Sequence, residues 1–413
     1  MNFVMAGLTR LSAQVNKFEP DDDFHQFADS MLDFFKIKGP IEVPDYESYI
    51  KTRDYPQSRK DQLIKLRNFM LNEATMKDRL KSSKVDTFIK NEPYPEEKKP
   101  RLINPRSDEF KSVWGNVLHA VDEFVFEKLE QFLVKNMTTE QRTEKIYNLF
   151  KDAKTVSTSD YTGMENSVRE EIMWFESRVL IRLLEGVVHP DELTELIAAL
   201  SYRQFCYNDS VGIGMNLATK RMSGELLTAV MNLLVNLLIH LYAYWKELYN
   251  DKSMHEFFTL VGSEIRILLE GDDTIHTSRR GTLTSTYFER CGFVVKLEHV
   301  DSLDKASFCG QVFNPNTLVL TTSPIKFLLK LGWAPIKYHN ASDKLLRMLV
   351  TAKAYSYAFT FPQCPVIYPI SYNIIKSYRF TFDSVKHTLV QLMDPYMAQQ
   401  LIFKVHNLRP PIS

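Results

Sequence analysis

Residues 268–277 read LLEGDDTIHT, and the adjacent carboxylates of Asp272 and Asp273 stand between two apolar runs, EIRILLE and TIHTS. Two ionised carboxylates side by side repel one another, so the pair either lies in a solvated acidic turn or holds a cation. A second pair, Asp160 and Glu165, lies in KTVSTSDYTGMENSV at residues 154–168. The stretch RMSGELLTAVMN adds Ser223, Gly224, Thr228 and Asn232, hydrogen-bonding or sterically minimal groups at the start of a long apolar run. Carboxylates suit a hard divalent cation that keeps some of its waters. Free backbone N–H groups beside a glycine suit the close approach of phosphate or sugar.

Positioning these groups calls for particular elements. The β-branched and apolar runs around Gly271 read as a β-hairpin with Asp272 and Asp273 at its bend. Thr155, Val156 and Thr158 have strand character, placing Asp160 at a strand's end. Gly163 then breaks the run, and ENSVREEIMWFESRVLIRLL reads as a helix with Glu165 at its start. Ser223 is expected as the N-cap of a helix through LLTAVMNLLVNLLIHLYAYW, residues 226–245. That segment is long enough to cross a bilayer. Thr228, Asn232, Asn236 and His240 nevertheless recur every fourth residue, as in a buried helix with a polar stripe. No transmembrane segment is expected.

The 413 residues are 44% hydrophobic with only 14 glycines and 18 prolines, enough for two or three cores and too ordered for a fibre or tail. Cys206, Cys291, Cys309 and Cys364 have neither zinc spacing nor disulfide density, pointing to a reducing, cytoplasmic setting. The N-terminus, MNFVMAGLTRLSAQV, lacks the pattern of a secretory signal. A net charge of zero conceals segregation: −5 over residues 1–50, +6 over 51–111, −9 over 112–323 and +8 over 324–413. Two basic blocks around an acidic centre suit a polyanion gripped by its backbone, or else are solvated faces.

In order, SDYTGME, RMSGELLTAVMN and EGDD resemble motifs A, B and C of viral RNA-dependent RNA polymerases. Upstream, FIKNEPYPEEKKPRLINPRS is similar to motif F, placed at residues 88–106, and CGFVVKLEHVDSLDKASFCGQVF to motifs D and E. RMSG and PRLINPRS are closest to tombusvirus-like enzymes of positive-strand RNA viruses. Glu165 departs from the aspartate usual at its position and is longer by one methylene.

The resemblance implies an α+β (mixed α/β) right-hand polymerase. Fingers would span 1–153 and an insertion at 186–220, a palm of antiparallel sheet plus helices 154–185 and 221–322, and a mainly helical thumb 323–413. The implied reaction is template-directed RNA synthesis from ribonucleoside triphosphates, in which two Mg²⁺ ions about 3.5 to 4 Å apart serve the attacking and leaving oxygens and Mn²⁺ substitutes. Asp160 and Asp272 are then the main metal ligands, with Asp273 supporting. Lys90, Lys98, Lys99 and Arg101 face the triphosphate, Arg101 closest because its planar fork matches a phosphate edge. Lys296 is the candidate general acid toward pyrophosphate. Asn232, Glu165 and the Ser223–Gly224–Thr228 region form the ribose network. Partners would be template and nascent RNA and viral or host replication-complex proteins, which bring the chain to membrane-associated complexes in the host cytoplasm. A reverse transcriptase and a non-catalytic RNA-binding protein with a degenerate polymerase fold are the alternatives. The aromatic LGWAPIKYH and AYSYAFTF segments and the tail VHNLRPPIS either support an initiating nucleotide without a primer or, for Trp333, Tyr338, Tyr355 and Tyr357, pack a core.

Overall fold

The computed structural model describes residues 2–8, 17–75, 84–90, 99–201, 204–217, 219–314, 319–334 and 338–390. Lys98 and the tail from 391 onward, including VHNLRPPIS, lie outside the described residues. The chain is a mixed α+β protein with several small sheets.

Twelve strands are described. β1 (Lys84–Asp86), β5 (Gln204–Asn208) and β6 (Ile213–Leu217) form one sheet, β1 running parallel to β5. β2 (Phe88–Ile89) pairs with β3 (Leu102–Ile103). A third sheet joins β10 (Ser307–Phe308), β11 (Gln311–Asn314) and β12 (Val319–Thr322). The central antiparallel sheet takes β4 (Val156–Tyr161), β7 (Ile265–Glu270), β8 (Asp273–Ser278) and β9 (Val295–Val300) in the order β7-β8-β4-β9.

Period-two alternation divides the central sheet between two cores. Tyr161, Ile265, Ile267 and Leu269 join the large core around the helix Thr228–Leu248. Val156, Leu268 and Ile275 face a second core with Val134, Ile146, Phe150 and Phe313. Covered on both sides, the inner strands β4 and β8 are buried over most of their length although largely polar in sequence, and the hydroxyls of Ser157, Ser159, Thr274 and Thr277 are hydrogen-bonded. The helix Thr139–Phe150 on the second side begins with a reciprocal capping box between Thr138 and Gln141.

Two sequence expectations need correction. Ser223 is not an N-cap: the helix begins at Thr228, after a turn through residues 223–227. Thr228 Oγ1 donates to the Met222 carbonyl at 2.8 Å, and Gly224 has φ of 101°, a value that favours glycine. The helix expected from 165 is interrupted, since Val168 and Arg169 are extended between Met164–Ser167 and Glu170–Leu184.

Helix Thr228–Leu248 is the one described helix long and apolar enough to cross a membrane, and most of its apolar window is buried inside the protein. Beyond the sheets, helices Asp343–Thr360, Ile367–Tyr378 and Phe382–Val390 follow the helix Pro324–Gly332. Tyr357 meets Phe327 edge-on at 4.7 Å and Tyr355 meets Phe382 at 5.6 Å, so both rings pack cores. Lys353 donates to the carbonyls of Lys330 and Trp333 and stands over the Trp333 ring. Tyr338 is half-buried.

Candidate active site

β7 and β8 turn through Gly271 and Asp272, with Glu270 paired to Asp273 and Gly271 at φ of 66°. The ladder between β4 and β8 ends at Ser159–Thr274, one residue short of Asp160 and Asp273. Alternation therefore sends Asp160 and Asp273 to one face of the sheet, while Ser159, Tyr161 and Thr274 point back at the helix Thr228–Leu248. Asp160 is exposed and Asp273 half-buried. The hairpin holds its carboxylates at the sheet's end because the pairs behind them are buried on both faces.

The local field is that of crowded negative charge. Burial pushes the Asp272 carboxyl above the usual carboxylate range, and Glu165 and Asp160 push it further; its own backbone hydrogen bond and Arg101 oppose them. Asp273 is pushed up to about 6 by burial and by Asp272, Asp160 and Glu270, with Lys326 opposing. Four acidic side chains from β4, from the turn after it and from the β7–β8 hairpin thus share one field with Arg101, which follows β2 by more than ten residues. A cation would relieve that repulsion, and an all-oxygen donor set fits Mg²⁺. The remaining member, Glu270, is engaged by Arg142 from the helix Thr139–Phe150.

A consequence concerns pH in metal-free solution. Because the folded pKa of Asp273 lies above the unfolded value near 3.8, its contribution to stability is full below that value and is lost as pH rises through about 6. The expected result is that Asp273→Asn raises the melting temperature at pH 7.5 and has little effect at pH 4. Calorimetry in a chelating buffer measures it, and an equal shift at both pH values contradicts the assignment.

Lys296 lies directly opposite Asp160 in the β4–β9 register, so the two share a face. Its exposed ammonium pairs with Glu298, and that contact, with a smaller share from Asp160, raises its pKa. Lys296 is therefore protonated at neutral pH, as a proton donor must be. Lys90 and Arg101 are joined by a backbone bond of 2.8 Å at the end of the β2–β3 pair where the chain passes from one strand to the other, and Lys99 is exposed beside them.

The turn at 223–227 packs on β3. The Asn104 N–H donates to the Ser223 carbonyl at 2.6 Å, and a Cβ on Gly224 would sit 3.0 Å from Ile103 Cγ2. Beneath it, Arg106 and Glu225 form an ion pair at 0% and 5% side-chain exposure, and Arg221 pairs with Glu176 nearby. Half-buried Thr228 donates its hydroxyl proton to the Met222 carbonyl, which leaves its oxygen the role of acceptor. Asn232 is 6% exposed, and its Oδ1 has no hydrogen-bond partner among the described residues. A buried amide oxygen without a partner is costly, and a hydroxyl donor brought by a ligand would satisfy it.

Other features stand apart. A cavity of about 980 Å³ opens elsewhere, lined by His119, Glu123, Lys135 and Lys145 among others and by none of Asp160, Asp272 and Asp273. Among the described residues, the one group of three or more His, Cys, Asp or Glu donors all within 4.8 Å of one another is His119, Asp122 and Glu123. Arg53 already stands 2.9 Å from His119 Nε2 and Lys135 lies 3.8 Å from Asp122, so cations occupy this group's surroundings. Asp160, Asp272 and Asp273 do not close to that spacing, as mutually repelling carboxylates should not, with Arg101, Lys326 and Lys296 as counterweights.

Arg142, Lys326 and the Arg106–Glu225 pair were not singled out from the sequence, where each lies far from its partner along the chain. No protein-family model matches the chain, and no curated protein matches it.

Proposed function

We propose that this chain is an RNA-directed RNA polymerase of a positive-strand RNA virus, similar to tombusvirus-like enzymes, with a right-hand arrangement of fingers (1–153 and 186–220), palm (154–185 and 221–322) and thumb (323–413). The observation that carries it is the convergence of Asp160, Glu165, Asp272, Asp273 and Arg101 in one electrostatic field, although their segments are scattered over more than 170 residues. Arg101, the Asp160 and Glu165 pair, and the Asp272 and Asp273 pair belong to three different segments of the ordered resemblance.

In this function Asp160 and Asp272, supported by Asp273, hold the metal. Two bound Mg²⁺ ions would supply neutralisation of the charge on the attacking and leaving oxygens, with Mn²⁺ as a substitute. The primer's 3′-hydroxyl gives up its proton to solvent and attacks the α-phosphorus, the bond from that phosphorus to the oxygen bridging to the β-phosphate breaks, and pyrophosphate leaves. Lys90, Lys99 and Arg101 grip the triphosphate, with Lys98 assigned by resemblance alone. Lys296 donates a proton to the departing pyrophosphate. Asn232 Oδ1 accepts from the ribose 2′-hydroxyl, Glu165 completes that network, and Ser223 and Gly224 present backbone to the sugar–phosphate.

The test is incorporation of labelled ribonucleotides on a defined RNA template with Mg²⁺, primed and unprimed, beside deoxynucleotides on the same template. Template-dependent RNA product supports the assignment. A product made only from deoxynucleotides favours a reverse transcriptase, and RNA binding without incorporation favours a degenerate fold.

Sugar choice gives a sharper expectation. Asn232→Ala should lower the ratio of ribonucleotide to deoxyribonucleotide kcat/KM by about 5- to 150-fold, the equivalent of one buried hydrogen bond at about 1 to 3 kcal/mol. Glu165→Asp, measured alongside, tests whether the longer side chain matters. An unchanged ratio at reduced rate assigns Asn232 to structure alone.

A further inference from the structure

We propose that Asn236, with His240 one turn later, is a positioning residue that fixes the separation of Asp160 from the Asp272–Asp273 hairpin and thereby sets the site's affinity for divalent cations. The inference rests on the carboxylates being metal ligands, as the proposed function has them.

Asn236 is fully buried, and both ends of its amide are used. Its Nδ2 donates to the Gly271 carbonyl at 3.0 Å and to Thr274 Oγ1 at 2.8 Å. Its Oδ1 accepts from Tyr161 Oη at 3.2 Å and lies 3.1 Å from Thr274 Oγ1. One turn on, His240 Nδ1 lies 2.9 Å from the Asn236 carbonyl and Nε2 lies 3.0 Å from Ser159 Oγ. A proton on Nδ1, donated to that carbonyl, leaves Nε2 to accept from the Ser159 hydroxyl.

The contacts bracket the acids. Ser159 and Tyr161 are the residues before and after Asp160, and Gly271 and Thr274 are the residues before and after the Asp272–Asp273 pair. One buried helix thus holds both acidic segments by their flanks, from the face opposite the carboxylates. Backbone pairing cannot do this alone, since the β4–β8 ladder ends at Ser159–Thr274 and Gly271 lies beyond any strand. Packing by an apolar side chain would fill the volume and leave the Gly271 carbonyl and the Tyr161 and Thr274 hydroxyls without these partners. Groups that orient ligating side chains through hydrogen bonds typically change metal affinity by about 10- to 100-fold when removed.

The experiment measures Mn²⁺ binding to the full chain without nucleotide, by loss of the free-ion electron paramagnetic resonance signal, with Asp272→Ala as the baseline. Asn236→Ala should bind Mn²⁺ about tenfold or more weakly. In nucleotide incorporation its half-saturating Mg²⁺ should rise by a similar factor, with KM for nucleotide little changed at saturating metal. Should Asn236→Ala fail to fold, Tyr161→Phe and Thr274→Val each remove one arm at nearly constant volume. Both should weaken Mn²⁺ binding, and the double variant should be weaker by less than the product of the two, because both act through Asn236. Wild-type Mn²⁺ affinity in these variants, or no Asp272-dependent Mn²⁺ binding in the wild type, overturns the inference. Asp272-dependent Mn²⁺ binding in a wild type that incorporates no nucleotide overturns the polymerase assignment and leaves the positioning role to be judged by the binding data.

Discussion

Replacing Asp272 or Asp160 with asparagine should cut ribonucleotide incorporation by at least about a thousandfold, roughly 4 kcal/mol at 1.36 kcal/mol per factor of ten, while the protein stays folded. The two consequences go together for a physical reason. Asp272 is held above its ordinary pKa by burial and by Glu165 and Asp160, so the charge that serves a metal is a burden on the metal-free fold. Asp272→Asn should therefore leave thermal stability at neutral pH unchanged or raised even as activity disappears. Asp273→Asn should be milder in activity, its carboxylate being assigned a supporting part. Incorporation rates on a primed template and calorimetry of the same samples check the pair. Substantial Mg²⁺-dependent synthesis by either Asp160→Asn or Asp272→Asn removes these residues from the chemistry, and a collapse of stability makes them structural.

The second large effect is expected at a site without chemistry of its own. Glu225→Leu leaves the Arg106 guanidinium buried with the Glu225 charge gone, beside its contacts with the Ala199 carbonyl and the face of Phe110. Breaking a buried pair by removing one member costs about 3 to 5 kcal/mol, whereas replacing both by apolar residues of similar size is often neutral. Arg106→Met combined with Glu225→Leu should accordingly recover most of the loss. Urea unfolding of the three proteins measures this as a shift in midpoint. A double variant as unstable as the single one would mean that the charges are needed for something besides each other.

The sequence disclosed the parts of the fold whose information is local. The GDD hairpin is visible because two apolar runs flank a glycine, and the structure puts the bend at Gly271 and Asp272. The strand ending near Asp160 was expected for the same reason and extends one residue further, to Tyr161. Helix Thr228–Leu248 was visible from its composition, and its four-residue polar stripe from spacing alone; what Asn236 and His240 touch was not. Ser223 misled because a serine before helix-favouring residues is a sound N-cap signal. At this place the turn is instead held by a backbone bond to Asn104 and a buried ion pair from 119 residues upstream, neither of which leaves a local pattern. Arg142 and Lys326 were missed likewise: a lone basic residue on an amphipathic helix does not announce which carboxylate it will meet. The candidate site was legible in residue type and order and in Arg101 and Lys296, but not in Arg142 and Lys326.

The strand order β7-β8-β4-β9 places β4 at an interior position of its sheet, with neighbours from much later in the chain. During synthesis β4 leaves the ribosome more than a hundred residues before β8, and its other partner, β9, comes later still. Until then both its edges are bare, although the helix Thr228–Leu248 that covers one of its faces emerges before β8. Chains terminated near residue 260 should therefore carry an unpaired β-strand flanked by exposed core and go to aggregates rather than to a soluble half. The same order makes the molecule a poor subject for splitting into complementing fragments anywhere between 161 and 295, because every such cut separates β4 from at least one of the strands that complete it.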